Sequence, residues 1–179
     1  MKTINIKDKN FELFITKDEL QINLDKLADK INLEMQDKNP IFICILTGAF
    51  IFSADLIRKI TIPCQITFMR VSSYSGTEST KQIKKIIGLQ ENIYDRHVVI
   101  LEDIVDSGLT LDFLITELIE KSPASIKIAT MFFKPSAFQK NYVLDYIGMT
   151  IPDEFIIGYG LDYYEYGRNL PDIYKLKKN

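Results

Sequence analysis

Short runs of nearly continuous apolar residues, separated by stretches of helical character, constrain this chain more than any other feature. The run Ile41–Leu46, IFICIL, is apolar throughout and rich in β-branched residues. A strand with one wet face alternates apolar and polar residues. An unbroken run therefore belongs to a strand covered on both faces, as in a parallel sheet. Residues 97–101 and 125–133 predict two more strands, and 63–70 and 155–159 another two, with helices over 49–60 and 109–121. Strands alternating with helices define an α/β domain with a mostly parallel central sheet. Such sheets bind ligands beyond the carboxyl ends of their strands. Attention therefore falls on Thr47-Gly48, on 102–110 and on Lys134.

Ahead of the first run, Thr16-Lys17-Asp18-Glu19 has capping-box spacing. Leu20, Leu24, Leu27, Ile31 and Met35 then recur on one helical face, and Asn39-Pro40 ends the helix. Residues 72–85, SSYSGTESTKQIKK, are polar. They suit a long exposed loop or a hairpin tip, with 83–89 as the return strand. The chain has 179 residues and shows no repeat or linker, so a single domain is expected. With 46% hydrophobic and 26% charged residues, global disorder is excluded. A net charge of −2 argues against a nucleic-acid-coating protein but not against a small phosphorylated ligand. No window approaches the roughly 18 apolar residues of a membrane span, and the N-terminus does not resemble a signal peptide. A soluble cytoplasmic protein is expected. Cys44 and Cys64 are too few for a disulfide framework or a four-cysteine zinc site and read as small core residues. His97 is the one histidine, and no nucleophile elbow accompanies it.

The most informative segment is 97–110, HVVILEDIVDSGLT. A buried strand runs into Glu102 and Asp103, then Asp106, then Ser107-Gly108-Leu109-Thr110 at a helix start. Amides and hydroxyls at a helix N-terminus bind anions, and Gly108 allows close approach of the backbone. The carboxylates suit hydroxyls, a metal or a developing positive charge. A sugar phosphate offers all of these together. Taken singly, each residue also fits a plainer role, as a solvated acid at a strand end or an Asp or Ser N-cap. It is the ordered set that points to function.

The run 98–110, VVILEDIVDSGLT, resembles the diphosphate-sugar motif of type I phosphoribosyltransferases, in the form of their hypoxanthine-guanine branch. Leu46-Thr47-Gly48-Ala49, with Phe52 and Ala54-Asp55-Leu56, resembles the pyrophosphate loop and its helix. Ser72-Ser73-Tyr74 resembles the start of the mobile active-site loop. FIIGYGLDY at 155–163, with Arg168-Asn169-Leu170, resembles the purine hood. The resemblance spans about 41–171. It implies the type I phosphoribosyltransferase fold: a central mostly parallel β-sheet flanked by helices (core about 38–150), a small hood from both termini (about 1–15 and 151–179) and a mobile loop (about 72–86).

The implied reaction joins a 6-oxopurine to 5-phosphoribosyl 1-pyrophosphate, with Mg2+ as cofactor. Glu102 and Asp103 would contact ribose hydroxyls and magnesium-bound water. Asp106 would be the general base that takes the proton from the purine N7, and Glu102 and Asp103 would raise its basicity. Asp106, Ser107, Gly108, Leu109 and Thr110 would hold the 5′-phosphate. Leu46, Thr47, Gly48 and Arg168 would hold pyrophosphate, with a non-proline cis peptide between Leu46 and Thr47. Lys134 would read the 6-oxo group and so select against adenine. Phe155 would stack on the base, Ile156 and Asp162 would meet its edge through backbone groups, and Asp162 would also contact magnesium. Ser73 and Tyr74 would close over the site.

Two positions depart from the family. Thr47 stands where Lys or Arg is common, and Leu109 where some members carry a basic residue. On their own, Arg168 reads as a surface charge, Lys134 as an ordinary strand-end lysine and Phe155 as core. Expected partners are the two substrates and further copies of the chain, in a dimer or tetramer, with neither nucleic acid nor membrane. Competing readings are a regulator that senses phosphoribosyl pyrophosphate while binding RNA or DNA, and a transferase for another base such as xanthine. The regulator would need a basic face, and the longest basic cluster is Lys-Lys.

Overall fold

The structure, a computed structural model, describes residues 2–75 and 81–178, with side chains outside 72–85. Its first unit is a hairpin, β1 (Thr3–Ile6) and β2 (Lys9–Ile15), followed by helix α1 (Lys17–Glu34). Then come β3 (Ile41–Leu46), α2 (Phe50–Ile57), β4 (Gln65–Ser75), β5 (Lys81–Ile87), β6 (His97–Val105), α3 (Leu109–Ile119) and β7 (Ser125–Phe133). The chain closes with β8 (Tyr146–Thr150), β9 (Ile156–Ile157) and β10 (Ile173–Leu176). The main sheet has the order β5-β4-β3-β6-β7-β8. It is parallel throughout except for the antiparallel β4–β5 pair. A second, antiparallel sheet has the order β1-β2-β10-β9.

Strand pleating explains why β3 and β6 must be apolar at every position. Ile41, Ile43, Ile45, Val98 and Ile100 face one way and pack with Leu111, Leu114 and Leu118 of α3. Phe42, Val99 and Leu101 face the other way and pack with Leu20, Leu24, Leu27 and Ile31 of α1 and Phe52 and Leu56 of α2. The sheet is thus covered on both faces. The Thr16 side chain accepts from the Glu19 amide (3.3 Å), and the Glu19 carboxylate accepts from the Thr16 amide (2.8 Å), completing the capping box.

Several boundaries differ from the sequence reading. Strand β6 runs on to Val105 rather than stopping at residue 101, because its pairing with β7 continues through Glu102↔Thr130 to Val105↔Phe133. Polar residues 72–75 and 81–85 are strand rather than loop, since antiparallel pairing from Arg70↔Ile87 to Ser75↔Lys81 satisfies their backbones. The expected tip at 76–80 and the Ser73 and Tyr74 side chains lie outside the described residues. The segment 155–159 is not a main-sheet strand. Only Ile156–Ile157 is extended, and it pairs with β10, because Gly158, Tyr159 and Gly160 all take positive φ and turn the chain. The last parallel strand is β8, an edge strand whose YIGMT sequence lacks an apolar run.

Thr16→Ala removes one reciprocal bond of the capping box and should lower stability by about 1 kcal/mol in urea unfolding.

Candidate active site

Parallel pairing of β3, β6 and β7 brings their carboxyl ends to one edge. There the chain passes into Thr47-Gly48, Asp106-Ser107-Gly108 and Lys134. The Lys134 amide donates to the Val105 carbonyl (2.9 Å), which fixes Lys134 beside the end of β6.

A cavity of about 240 Å³ is lined by Glu102, Asp106, Ser107, Gly108, Leu109 and Thr110 at the start of α3. Gly108 caps the helix with φ 81°, and no side chain caps it. This corrects the reading of Asp106 or Ser107 as the N-cap. The Ser107 hydroxyl reaches the Leu109 amide only at 3.5 Å. Among the described residues no other side chain meets the first amides of α3, which leaves them to an anion. Gly108 has no room for a side chain: a Cβ would come within 2.7 Å of the Phe138 ring and 2.8 Å of the Tyr142 hydroxyl. That hydroxyl donates to the Gly108 carbonyl (2.8 Å).

Glu102 and Asp103 are consecutive strand residues, so they leave β6 on opposite sides. Glu102 lines the α3 cavity. Asp103 lies over Gly48, where a Cβ would fall 1.6 Å from its Oδ2. Its Oδ1 accepts from the Ile104 amide (2.8 Å). Oε2 of Glu102 is buried and has no hydrogen-bond partner among the described residues. Burial pushes the Asp103 carboxyl up to about 6, against the pull of the Ile104 amide and Arg168. Burial and the neighbouring Asp103 charge push Glu102 well above the usual carboxylate range. Two half-buried acids, one with a buried oxygen that no described residue meets, fit a hydroxyl donor or a hydrated cation. The expected metal set of Glu102, Asp103 and Asp162 does not converge, and no cluster of three metal-ligating side chains occurs among the described residues. Strand alternation separates Glu102 from Asp103. The Asp162 carboxylate is engaged by the Arg168 guanidinium (2.8 Å) and the Glu165 amide (2.7 Å).

The second sheet meets this edge through backbone. A Cβ on Gly160, at φ 100°, would lie 2.1 Å from the Gly48 carbonyl oxygen. Arg168 donates to the Gly160 carbonyl (2.8 Å) as well as pairing with Asp162, so it is held at the site rather than free at the surface. The Tyr159 hydroxyl donates to Asp55 of α2 (2.9 Å). The Leu46–Thr47 peptide is cis, as the resemblance implies. Ile156 is buried, whereas Phe155 is 46% exposed and so is not core. Its ring leans edge-on to Tyr163 at 5.8 Å between centroids.

Lys134 is only 7% exposed. Its ammonium lies 3.8 Å from the Asp106 carboxylate and donates to Asp153 (3.1 Å). Sequence reasoning missed Asp153, along with Tyr142 and the Tyr159–Asp55 bond. Asp153 follows β8, and recognising that strand would have put residues 151–154 on the same carboxyl edge. Tyr142 and Tyr159 carry no sequence signal, because their hydroxyl partners are distant in the chain.

The phosphoribosyl transferase domain family matches residues 16–164. The chain belongs to this family. A hypoxanthine-guanine phosphoribosyltransferase of Bacillus subtilis is 41% identical over 167 residues, covering 93% of each chain. A hypoxanthine phosphoribosyltransferase of Buchnera aphidicola is 42% identical over 168 residues, 92% of this chain and 95% of that one. The crystal structure of a Staphylococcus aureus hypoxanthine phosphoribosyltransferase superposes with a TM-score of 0.87 at 38% identity, covering 93% of this chain and 91% of that one. The resemblance drawn from 98–110 and the expected fold, a mostly parallel sheet flanked by helices, are both borne out. Among the described residues no helix is long and apolar enough to cross a membrane.

Raised carboxyls make the folded protein bind more protons than the unfolded chain. For Asp103 this contribution to stability is fully present below its ordinary value of 3.8 and is lost as pH rises to about 6. Asp103→Asn should therefore unfold at higher urea than the wild type at about pH 7.5, the two converging towards about pH 4.

Proposed function

We propose that this chain transfers the phosphoribosyl group of 5-phosphoribosyl 1-pyrophosphate to hypoxanthine and guanine, releasing pyrophosphate and the nucleoside monophosphate. The observation that carries this reading is the buried Lys134 ammonium 3.8 Å from the carboxylate of Asp106, which lines the α3 cavity. A 6-oxopurine presents an acceptor, O6, beside an acidic N–H at N7, and these two groups match that donor and that base. Adenine would set an amino donor against the ammonium, leaving a buried donor unpaired. The names of the Bacillus subtilis and Buchnera aphidicola relatives support the same substrate class.

In this reading the 5′-phosphate sits on the amides and hydroxyls of Ser107, Gly108, Leu109 and Thr110, with Asp106 at the cavity rim. The C1–O bond to pyrophosphate breaks as purine N9 bonds to C1, and Asp106 takes the N7 proton. Carboxylates of Glu102 and Asp103 accept from the ribose hydroxyls and favour the positive charge developing at C1. Pyrophosphate leaves along Leu46, Thr47 and Gly48, with Arg168 as the cation that Thr47 and Leu109 do not supply. Phe155 stacks on the base, and the backbones of Ile156 and Asp162 meet its edge. Mg2+ would meet this chain through water held by Glu102 or Asp103 and would neutralise the diphosphate, while Asp162 stays paired with Arg168. The orphaned Glu102 Oε2 fits such a contact. Ser73 and Tyr74 belong to a loop that closes to exclude water. The two sheets act as core and hood of one domain, in a cytoplasmic homo-oligomer.

The test is turnover of purified protein with phosphoribosyl pyrophosphate and Mg2+ on hypoxanthine, guanine, xanthine and adenine. Activity on the first two is expected, and its absence on both overturns the reading. Asp106→Asn should lower kcat by roughly 10²–10⁴-fold with an unchanged urea midpoint.

A further inference from the structure

We propose that Asp153 is the residue that positions Lys134 for the purine, holding its ammonium away from Asp106 so that donor and base remain separate. The inference rests on the reading of Lys134 and Asp106 given above and extends it to a residue with no role there.

A lysine ammonium is a compact charge on a flexible four-carbon stem, and its position depends on what it is tied to. At Lys134 the stem is buried and the ammonium faces two carboxylates. Asp153 holds it at 3.1 Å, within hydrogen-bond reach, whereas Asp106 lies beyond that reach at 3.8 Å. One N–H is thereby committed to Asp153, leaving others for O6. Asp106 keeps a face free to accept the N7 proton.

The backbone holds Asp153 in place. The Ile151 amide donates to the Phe133 carbonyl (2.9 Å), which joins the segment after β8 to the residue before Lys134. The Glu154 amide donates to the Pro152 carbonyl (2.8 Å), and the Leu176 amide to the Phe155 carbonyl (2.9 Å). Asp153 is therefore set across from Lys134, two residues before the ring proposed to stack on the base. Its own side chain is 62% exposed, against 9% for Lys134, so no burial requirement explains it.

Without Asp153 the nearest carboxylate to the ammonium is Asp106. Closing that gap would occupy the donor meant for O6 and the acceptor meant for the N7 proton in a single ion pair. The damage should fall on the base half of the reaction and spare the phosphoribosyl half.

The test compares Asp153→Ala and Asp153→Asn in the full chain, with KM measured separately for hypoxanthine and phosphoribosyl pyrophosphate, and with adenine as competing base. Asp153→Ala should raise the hypoxanthine KM about tenfold, lower kcat and weaken discrimination against adenine, with KM for phosphoribosyl pyrophosphate within about twofold. Asp153→Asn, whose amide oxygen still accepts from the ammonium, should recover most of the loss. An unchanged hypoxanthine KM in Asp153→Ala overturns the inference. So does a parallel rise in both KM values, which would mark a general distortion of the site, and so does an Asn variant as impaired as Ala. If the wild type turns over neither hypoxanthine nor guanine, the proposed function itself falls and this inference with it. An active wild type with an indifferent Asp153 sinks this inference alone.

Discussion

Partial burial of two ionisable carboxyls on consecutive residues at the end of the central strand is the constraint on which the rest of the structure turns. Moving a carboxylate out of water is costly, and here one buried oxygen has no partner among the described residues to offset it. The surrounding fold supplies the stability that tolerates this. Strand β6 lies between β3 and β7 and is covered by α3 on one face and by α1 and α2 on the other, so its apolar stretch is fully buried. Burial that stabilises residues 98–101 also raises the proton affinity of the two that follow. Burial thus favours the protonated acids, and a hydroxyl, a cation or positive charge beside them would favour their ionised forms.

The second sheet is tied to this point by contacts at two glycines that leave no room for a Cβ. Asp103 rests on Gly48, and the Gly48 carbonyl rests on Gly160. Gly160 in turn accepts from Arg168, which pairs with Asp162. Tyr159 fastens the same turn to α2 through Asp55. This close backbone approach brings the turn between β9 and β10 directly against the edge that carries the acids.

Much of the fold was legible because its signals are local. Runs of apolar residues on both strand faces mark β3, β6 and β7, and the capping box marks the start of α1. The members of the site after β3, β6 and β7 were legible for the same reason, since each follows a recognisable strand. Elements whose stability comes from neighbours were not. Strand β8 is a glycine-containing edge strand, and β1, β2 and β10 form a sheet only by pairing the two ends of the chain. Asp153 went unseen along with β8.

The sequence by itself determined the covered parallel sheet and the order of acids, glycine and hydroxyls leading into α3, because strand period and helix-start chemistry act over a few residues. It also carried the family. Tertiary structure alone decided that Glu102 and Asp103 face different neighbours, that Arg168 is drawn to Asp162 and Gly160, and that Lys134 lies between Asp106 and Asp153. Those outcomes depend on which distant groups share a desolvated space, and the electrostatic energies that rank them are set by burial rather than by position along the chain.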